Sequence, residues 1–284
     1  MTQEKEHWDV VIGPGGRLIG VDLKSLWSYR DLVWMFFKRD FVTFYKQTVL
    51  GPLWYLIQPS LTALTYYVVF GRIANLSTSG LPPYLFYMSG IVLWTYFATC
   101  LANNSEVFSK NASLFGKVYF PRLVVPIAVA MSGLVAFGIQ FCLLLVIMVG
   151  FIFAGSGITW PGPFILLVPL LILYVAVLGI GMGLIVSALT VRYRDLIIAT
   201  GFLTQLWMYA SPVVYPFQQI PEKYQWVFYL NPMAAPIETL RMALFGSAGV
   251  PYSLWLSNVA VAAVLFFVGL VLFSHAESSA MDTV

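Results

Sequence analysis

The sequence predicts an all-α integral membrane protein. Six transmembrane helices follow an N-terminal amphipathic interface helix, and outer-side re-entrant helices lie between helices 5 and 6. Three observations carry this. The chain of 284 residues is 60% hydrophobic and only 10% charged, whereas soluble domains carry about 25% charge. Its apolar residues fall in runs long enough to cross a bilayer, since about 20 helical residues cover about 30 Å. Its basic residues alternate in density from one inter-run loop to the next.

Residues 1–22 are polar, with the turn cluster Gly13, Pro14, Gly15 and Gly16, and read as a cytosolic lead. They contain no continuous apolar core of the secretory-signal kind. The interface helix is expected at 23–49. Leu26, Val33, Phe37, Phe41 and Phe44 recur at three-or-four spacing on one face, while Lys24, Ser28, Asp31, Lys38 and Lys46 fall mostly on the other. Such a helix can lie in a membrane surface, rings toward lipid and cations toward headgroups or a cytosolic partner. An ordinary basic flank of the first span is the blander reading. Gly51 and Pro52 break the helix, because proline lacks the amide donor and restricts the residue before it.

The domain at 50–275 then contains spans at about 53–73, 84–103, 123–153, 164–190, 196–215 and 254–273, with a cytosolic tail at 276–284. The first span is polar and aromatic for a lipid-facing helix. Trp54, Gln58, Thr62 and Tyr66 recur at a spacing of four and are read as one face. The fourth carries Gly179, Gly181 and Gly183, small residues that permit close helix approach. Between spans five and six, Pro212, Pro216, Pro221, Pro232, Pro236 and Pro251 exclude an uninterrupted helix. Broken helix at membrane depth survives only buried in protein or lining water, so 217–251 is read as re-entrant. There Glu238 and Arg241, three apart, suit either a local ion pair that holds the turn or a substrate contact.

Topology follows from charge. Of fifteen basic residues, seven precede the first span, three (Lys110, Lys117 and Arg122) follow the second, and Arg192 and Arg194 follow the fourth. The positive-inside rule therefore places both termini in the cytosol and the re-entrant region outside.

Several chemistries find no support. The sequence has no phosphate-binding glycine loop, no HExxH, no metal-spaced cluster and no grouped acid and base, so neither a catalytic nor a metal site is expected. Cys100 and Cys142 lie in apolar runs as packing residues, and His7 and His275 lie near opposite ends. No ionisable residue clearly occupies mid-membrane, where insertion costs about 2.5–3.5 kcal/mol. Energy for uphill transport must then come from another subunit. The net charge of +3 is distributed by topology and does not indicate nucleic acid binding.

Four segments carry a family resemblance: RDLVWMFFKRDFVTFYKQTVLGPLWYLIQP at 30–59, FGKVYFPRLVVP at 115–126, LTVRYRDL at 189–196 and YLNPMAAPIETLRMALFG at 229–246. Together with the six spans they make the chain, over about 23–275, resemble the permease subunits of ABC-2 type polysaccharide exporters. These move O-antigen, capsule or teichoic acid chains across bacterial inner membranes. The resemblance implies a homodimer above two cytosolic nucleotide-binding ATPase subunits. ATP and Mg would bind there, with no cofactor in this chain. It implies a polyprenyl-diphosphate-linked polysaccharide as substrate and the bacterial inner membrane as location.

It also implies site residues. The coupling segment would be Asn111 to Arg122, with Lys117, Tyr119, Phe120, Pro121 and Arg122 at the ATPase and with Arg192, Arg194 and Asp195 near the same surface. The interface helix would present Arg30, Asp31, Lys38, Arg39, Tyr45 and Lys46. Spans one and five would line the conduit, offering Trp54, Gln58, Thr62 and Tyr66 from one and Thr204, Gln205, Tyr209 and Ser211 from the other. Aromatic contacts of about 0.5–1.5 kcal/mol each suit a sugar chain that must slide. The re-entrant region would contribute Asn231, Pro232, Glu238 and Arg241. Rival readings are an ABC-2 exporter of a drug or lipid, a membrane-embedded glycan-assembly enzyme, and a passive channel.

Overall fold

The computed structural model describes residues 23–46, 50–115, 117–118 and 120–281, and only the backbone at 23–25, 43–46, 112–113 and 277–281. The lead at 1–22, Tyr119 and the side chains of Tyr45 and Lys46 lie outside the described residues. The described chain is helical, with no strand.

Its helices are α1 (Leu23–Ser28), α2 (Arg30–Lys46), α3 (Trp54–Tyr66), α4 (Pro83–Ser105), α5 (Val107–Phe115), α6 (Val124–Phe153), α7 (Val168–Thr190), α8 (Leu196–Tyr209), α9 (Glu222–Leu230), α10 (Ala234–Phe245) and α11 (Tyr252–Met281). A π-helical turn, Tyr67–Ile73, extends α3, and a 3-10 turn, Pro163–Leu167, leads into α7. Four helical stretches are long and apolar enough to cross a membrane: Pro83–Ser105, Val124–Phe153, Pro163–Thr190 and Tyr252–Ala276.

Two expected spans are shorter than that. α3 has 13 residues before its π turn, and α8 has 14. The fifth span was expected to reach residue 215 but α8 ends at Tyr209, because the following Ser211-Pro212 removes a donor and turns the chain.

α4 is the axis of the bundle. Its faces meet α3, α6, α7, α8 and α10. The sequence shows why one helix can serve so many neighbours. Gly179 and Gly183 on α7 bring that helix onto α4 so closely that an added Cβ would stand 2.6 Å from Cys100 Cβ in one case and would overlap Asn104 Cβ in the other. Gly181, turned to the opposite side of α7, receives α11 at Phe266 and Gly269. Alternating glycines thus seat one helix between two, without any hydrophobic drive from water.

The N-terminal helices differ from the expected amphipathic face. A turn at Tyr29 divides them. Val33 and Phe36 are buried against Phe120, Val124, Val125 and Ala128, while Phe41 is exposed and Phe37 only half-buried. Trp34, Phe37 and Phe41 instead stack in a row on the side of α2, at centroid distances of 4.8 and 6.4 Å. Two apolar stripes, one inward and one sideways, were read as one because both satisfy three-or-four spacing. The break after α2 is made by Leu50 to Leu53, with Gly51 at φ +48°, a conformation that glycine adopts without steric cost.

Candidate functional site

Candidate residues gather at two ends of the bundle and along one side. At the end formed by the start of α6 and the ends of α4 and α7, Thr190 Oγ1 donates to the Ser105 carbonyl, so α4 and α7 terminate together. Arg192, Arg194 and Asp195 are exposed in the short turn that follows. Lys117 is exposed in the turn that follows α5. Behind it lies an aromatic seat. Phe120 is buried beside Phe36 and Phe115, at 5.9 and 5.7 Å between ring centroids. Arg122 is buried too, its guanidinium carbon 5.2 Å from the Phe115 ring and 5.9 Å from that of Phe108. Asn111 turns its amide back onto the Val107 carbonyl. Pro121 is half-buried. Of the coupling residues read from the sequence, the exposed ones are therefore cationic or acidic, and the rings and Arg122 hold the segment in place.

Arg30, Asp31, Lys38 and Arg39 are exposed on α2. Arg39 pairs with Asp40 at 2.8 Å and lies 4.8 Å from the Phe36 ring.

Along one side of the bundle, α3 and α8 both lean on α4. Trp54 and Gln58 are exposed, Thr62 is half-buried, and Tyr66 is buried. The expected single face therefore spirals inward, because a spacing of four overshoots a 3.6-residue turn by about 40° at each step. On α8, Gln205 and Tyr209 are exposed and Thr204 is half-buried. The helices touch where Tyr66 meets Tyr209, rings 6.3 Å apart, and where the Tyr66 hydroxyl reaches Met208 sulfur. A groove of about 550 Å³ between α3 and α6 is a different surface. Leu56, Leu134, Gly138, Ile139, Cys142 and Val146 line it, and they offer a sugar no polar side chain.

At the opposite end from the coupling segment, the chain from Ala210 to Phe245 is held at three polar junctions. Arg241 is 1% exposed. Its Nη1 donates to the Pro212 carbonyl at 2.6 Å and to Glu238 Oε1 at 3.1 Å; its Nη2 donates to the Phe86 and Val213 carbonyls; its Nε reaches Ser89 Oγ. The Phe86 ring lies 3.5 Å below the guanidinium carbon. Glu238 in turn accepts the Phe217 N–H at 3.0 Å. The pair thus gives partners to the Pro212 and Val213 carbonyls and the Phe217 N–H, backbone groups that the Pro212 break leaves outside a helix. Of the two readings left open by the sequence, the local ion pair is what the geometry provides, and neither side chain is exposed to a substrate.

Asn231 closes the second junction. Its Oδ1 accepts from Trp207 Nε1 and from the Met233 N–H, and its Nδ2 donates to Ser211 Oγ and the Ala210 carbonyl. Ser211, expected along the conduit, is buried in this joint. Pro232 is buried as well, and its carbonyl accepts the Tyr174 hydroxyl at 2.9 Å. The third junction was missed from the sequence. Asn258 on α11 accepts the Ala235 N–H and donates to the Phe228 and Tyr229 carbonyls. A lone amide inside an apolar run is costly without partners, and that was the available signal. Ser89, Phe86 and Tyr174 gave none. Among the described residues no group of three His, Cys, Asp or Glu side chains is placed to hold a metal ion.

Comparison with known proteins matches residues 31–245 to the ABC-2 type transporter family. Two Klebsiella pneumoniae proteins, each named O-antigen export system permease protein RfbA, are similar to the chain. One is 29% identical over 85% of this chain and 88% of its own length, the other 28% identical over 86% and 91%. A Myxococcus xanthus protein of the same name is 28% identical over 81% of this chain and 85% of its own. With most of the chain matched and four apolar helices of membrane-spanning length, this is a multi-pass membrane protein, and it belongs to the ABC-2 type transporter family.

Proposed function

We propose that the chain is the transmembrane subunit of an ATP-driven exporter of a lipid-linked, O-antigen-like surface polysaccharide in the bacterial inner membrane. The observation that carries this reading is similarity to O-antigen export permeases over more than four fifths of the chain. Two copies of the chain would form the conduit, and two copies of a cytosolic ATPase would bind ATP and Mg below it. The chain itself performs no bond chemistry.

The α3 helix with its π turn, and α8, complete six spans with the four long helices. Both termini lie in the cytosol, and α9 and α10 lie on the outer side, in keeping with the basic loops. Lys117, Arg192, Arg194 and Asp195 would meet the ATPase. Asn111, Phe120, Pro121 and Arg122 would transmit its movement into α6, with Tyr119 between them in sequence. Arg30, Asp31, Lys38 and Arg39 would sit over the same partner, with Tyr45 and Lys46 following along α2. The Trp34–Phe37–Phe41 row would lie in the inner leaflet. Trp54, Gln58, Thr62, Thr204, Gln205 and Tyr209 would line the glycan path. Tyr66 closes that face inward, and Ser211 with Asn231 and Pro232 supports its outer end. ATP binding would rock the protomers through the coupling segment.

The test is the location of glycan after depletion of this protein in its own host. Loss of polymer from the surface, with lipid-linked chains accumulating on the cytoplasmic face of the inner membrane, is expected. Unchanged surface glycan would overturn the reading in favour of a drug or lipid exporter. Loss of the polymer from every compartment would point to a glycan-assembly role.

A further inference from the structure

The last turns of α11 reach the coupling segment from the far end of the chain. Phe273 is buried and stacks on Phe108 of α5, with ring centroids 4.6 Å apart and planes 26° from parallel. Phe108 also meets the Phe115 ring at 6.1 Å and the Arg122 guanidinium at 5.9 Å. Phe115 continues to Phe120, and Phe120 to Phe36 on α2. Val107 and Phe108, Leu184 of α7, Val124 of α6 and Phe273 belong to one apolar cluster. The base of α5 is therefore seated among the ends of α6, α7 and α11, and not on α6 alone.

What reaches Phe273 meets a stiff element. α11 is one uninterrupted helix of 30 residues. Its contact with α7 is backbone against backbone close to the stack. A Cβ added to Gly181 would stand 2.6 Å from Phe266 Cα, and one added to Gly269 would overlap the Gly181 carbonyl oxygen. Gly269 lies one turn before Phe273, so the helix end that carries the ring has no lateral slack against α7. Close-packed interiors transmit strain and do not absorb it. A push on the exposed side of α5 consequently has two outlets, Phe120 into the start of α6 and Phe273 into α11. A ring on a ring suits the second outlet, because a stacked pair fixes relative tilt as well as filling space.

Given the ATPase docking proposed above, we infer that the Phe273–Phe108 stack is a second output of the coupling segment, delivering the movement of α5 to the cytosolic end of α11. Phe273 is a positioning residue: it is buried and acts through Phe108.

The test compares Phe273→Ala, Phe273→Tyr and Leu270→Ala in the full complex with its ATPase. Leu270 packs against the same cluster one turn earlier and is the control for a cavity alone. An environment-sensitive fluorophore at His275→Cys, in a Cys142→Ser background in lipid nanodiscs, reports the end of α11. Export is read as surface glycan in a complemented deletion strain. ATP is expected to shift the emission of the parent. Phe273→Ala should copurify the ATPase at parental yield and hydrolyse ATP within two-fold of the parental rate, yet lose the shift and export at least five-fold less glycan. Phe273→Tyr, which keeps the ring, should recover the shift and most of the export, and Leu270→Ala should retain both. Parental shift and export in Phe273→Ala would overturn the inference and leave the proposed function standing. Equal uncoupling in Leu270→Ala would overturn it in favour of general loosening of the seat. Loss of the ATPase from the Phe273→Ala complex would overturn it in favour of a docking role. A parent chain that holds no ATPase would overturn the proposed function and the inference together.

Discussion

α4 and α8 are both apolar helices with scattered polar residues, yet they are used in opposite ways. Most of α4 is buried, and its polar groups turn to this chain: Ser89 meets Arg241, Asn104 Nδ2 bonds the Cys100 carbonyl, and Ser105 Oγ bonds that of Ala102. On α8 only Met208 is buried, and Gln205 and Tyr209 are exposed. Apart from Cys142, the exposed residues on the middle of α6 and α11 are aliphatic or aromatic by contrast, among them Leu134, Val146, Val264 and Phe267. An exposed amide on a membrane helix is expensive against lipid. Two helices with the same kind of composition are therefore used differently, one buried at the centre of the subunit and the other presenting polar groups outward, as the proposed glycan path requires.

Substitutions that break the α4 side should show first in folding. The largest effect is expected at Arg241→Leu, which leaves Glu238 buried without its cation and takes the guanidinium donor from the Pro212 and Val213 carbonyls. Breaking a buried pair from one side costs about 3–5 kcal/mol. Thermal unfolding of the purified protein should show that loss, and Arg241→Leu with Glu238→Gln should recover part of it.

Glycines sharpen the same contrast. Gly183→Leu drives a side chain into Asn104 across the α4–α7 contact and should cost about 1–3 kcal/mol or more. Gly201→Leu on α8 meets open space and should stay within about 0.5 kcal/mol of the parent in the same unfolding assay. Asn258→Leu strands the Ala235 N–H and takes the amide donor from the Tyr229 carbonyl, while the Phe228 carbonyl keeps the Asn231 N–H. Its expected cost is about 1–3 kcal/mol, since an orphaned buried group loses its full solvation.

Much of this division was legible in the sequence. The long runs, the packing glycines of α7, the proline-broken segment and the basic loops each have a local physical signature, and the helices at 83–105, 124–153 and 163–190 lie within a few residues of expectation. What could not be read was direction around a helix axis. The spacing of Val33, Phe37 and Phe41 is equally compatible with facing the core and facing sideways, and only α6 and Phe120 decide between them. Trp54 to Tyr66 make one face only when the drift of a spacing of four is neglected, since about 40° at each of three steps turns the last residue about 120° from the first. Asn231 and Asn258 needed partners more than twenty residues away to acquire a role.

Gln205→Leu isolates the outward side of the comparison. The residue is exposed near the middle of α8, so its replacement by an aliphatic chain removes no partner within α4 and should leave unfolding unchanged within about 0.5 kcal/mol. If α8 faced lipid, the change would be neutral or slightly stabilising, and export would persist. If it lines a hydrated glycan path, the polymer loses a hydrogen-bonding group on each passage, and surface glycan in a complemented deletion strain should fall several-fold while protein levels hold. Tyr209→Phe provides the graded control: it keeps the ring for sugar C–H faces and removes only the hydroxyl, so its effect should be the smaller of the two. Equal glycan from parent, Gln205→Leu and Tyr209→Phe cells would assign the exposed face of α8 to lipid, or to the partner protomer, and move the path to another side of the bundle.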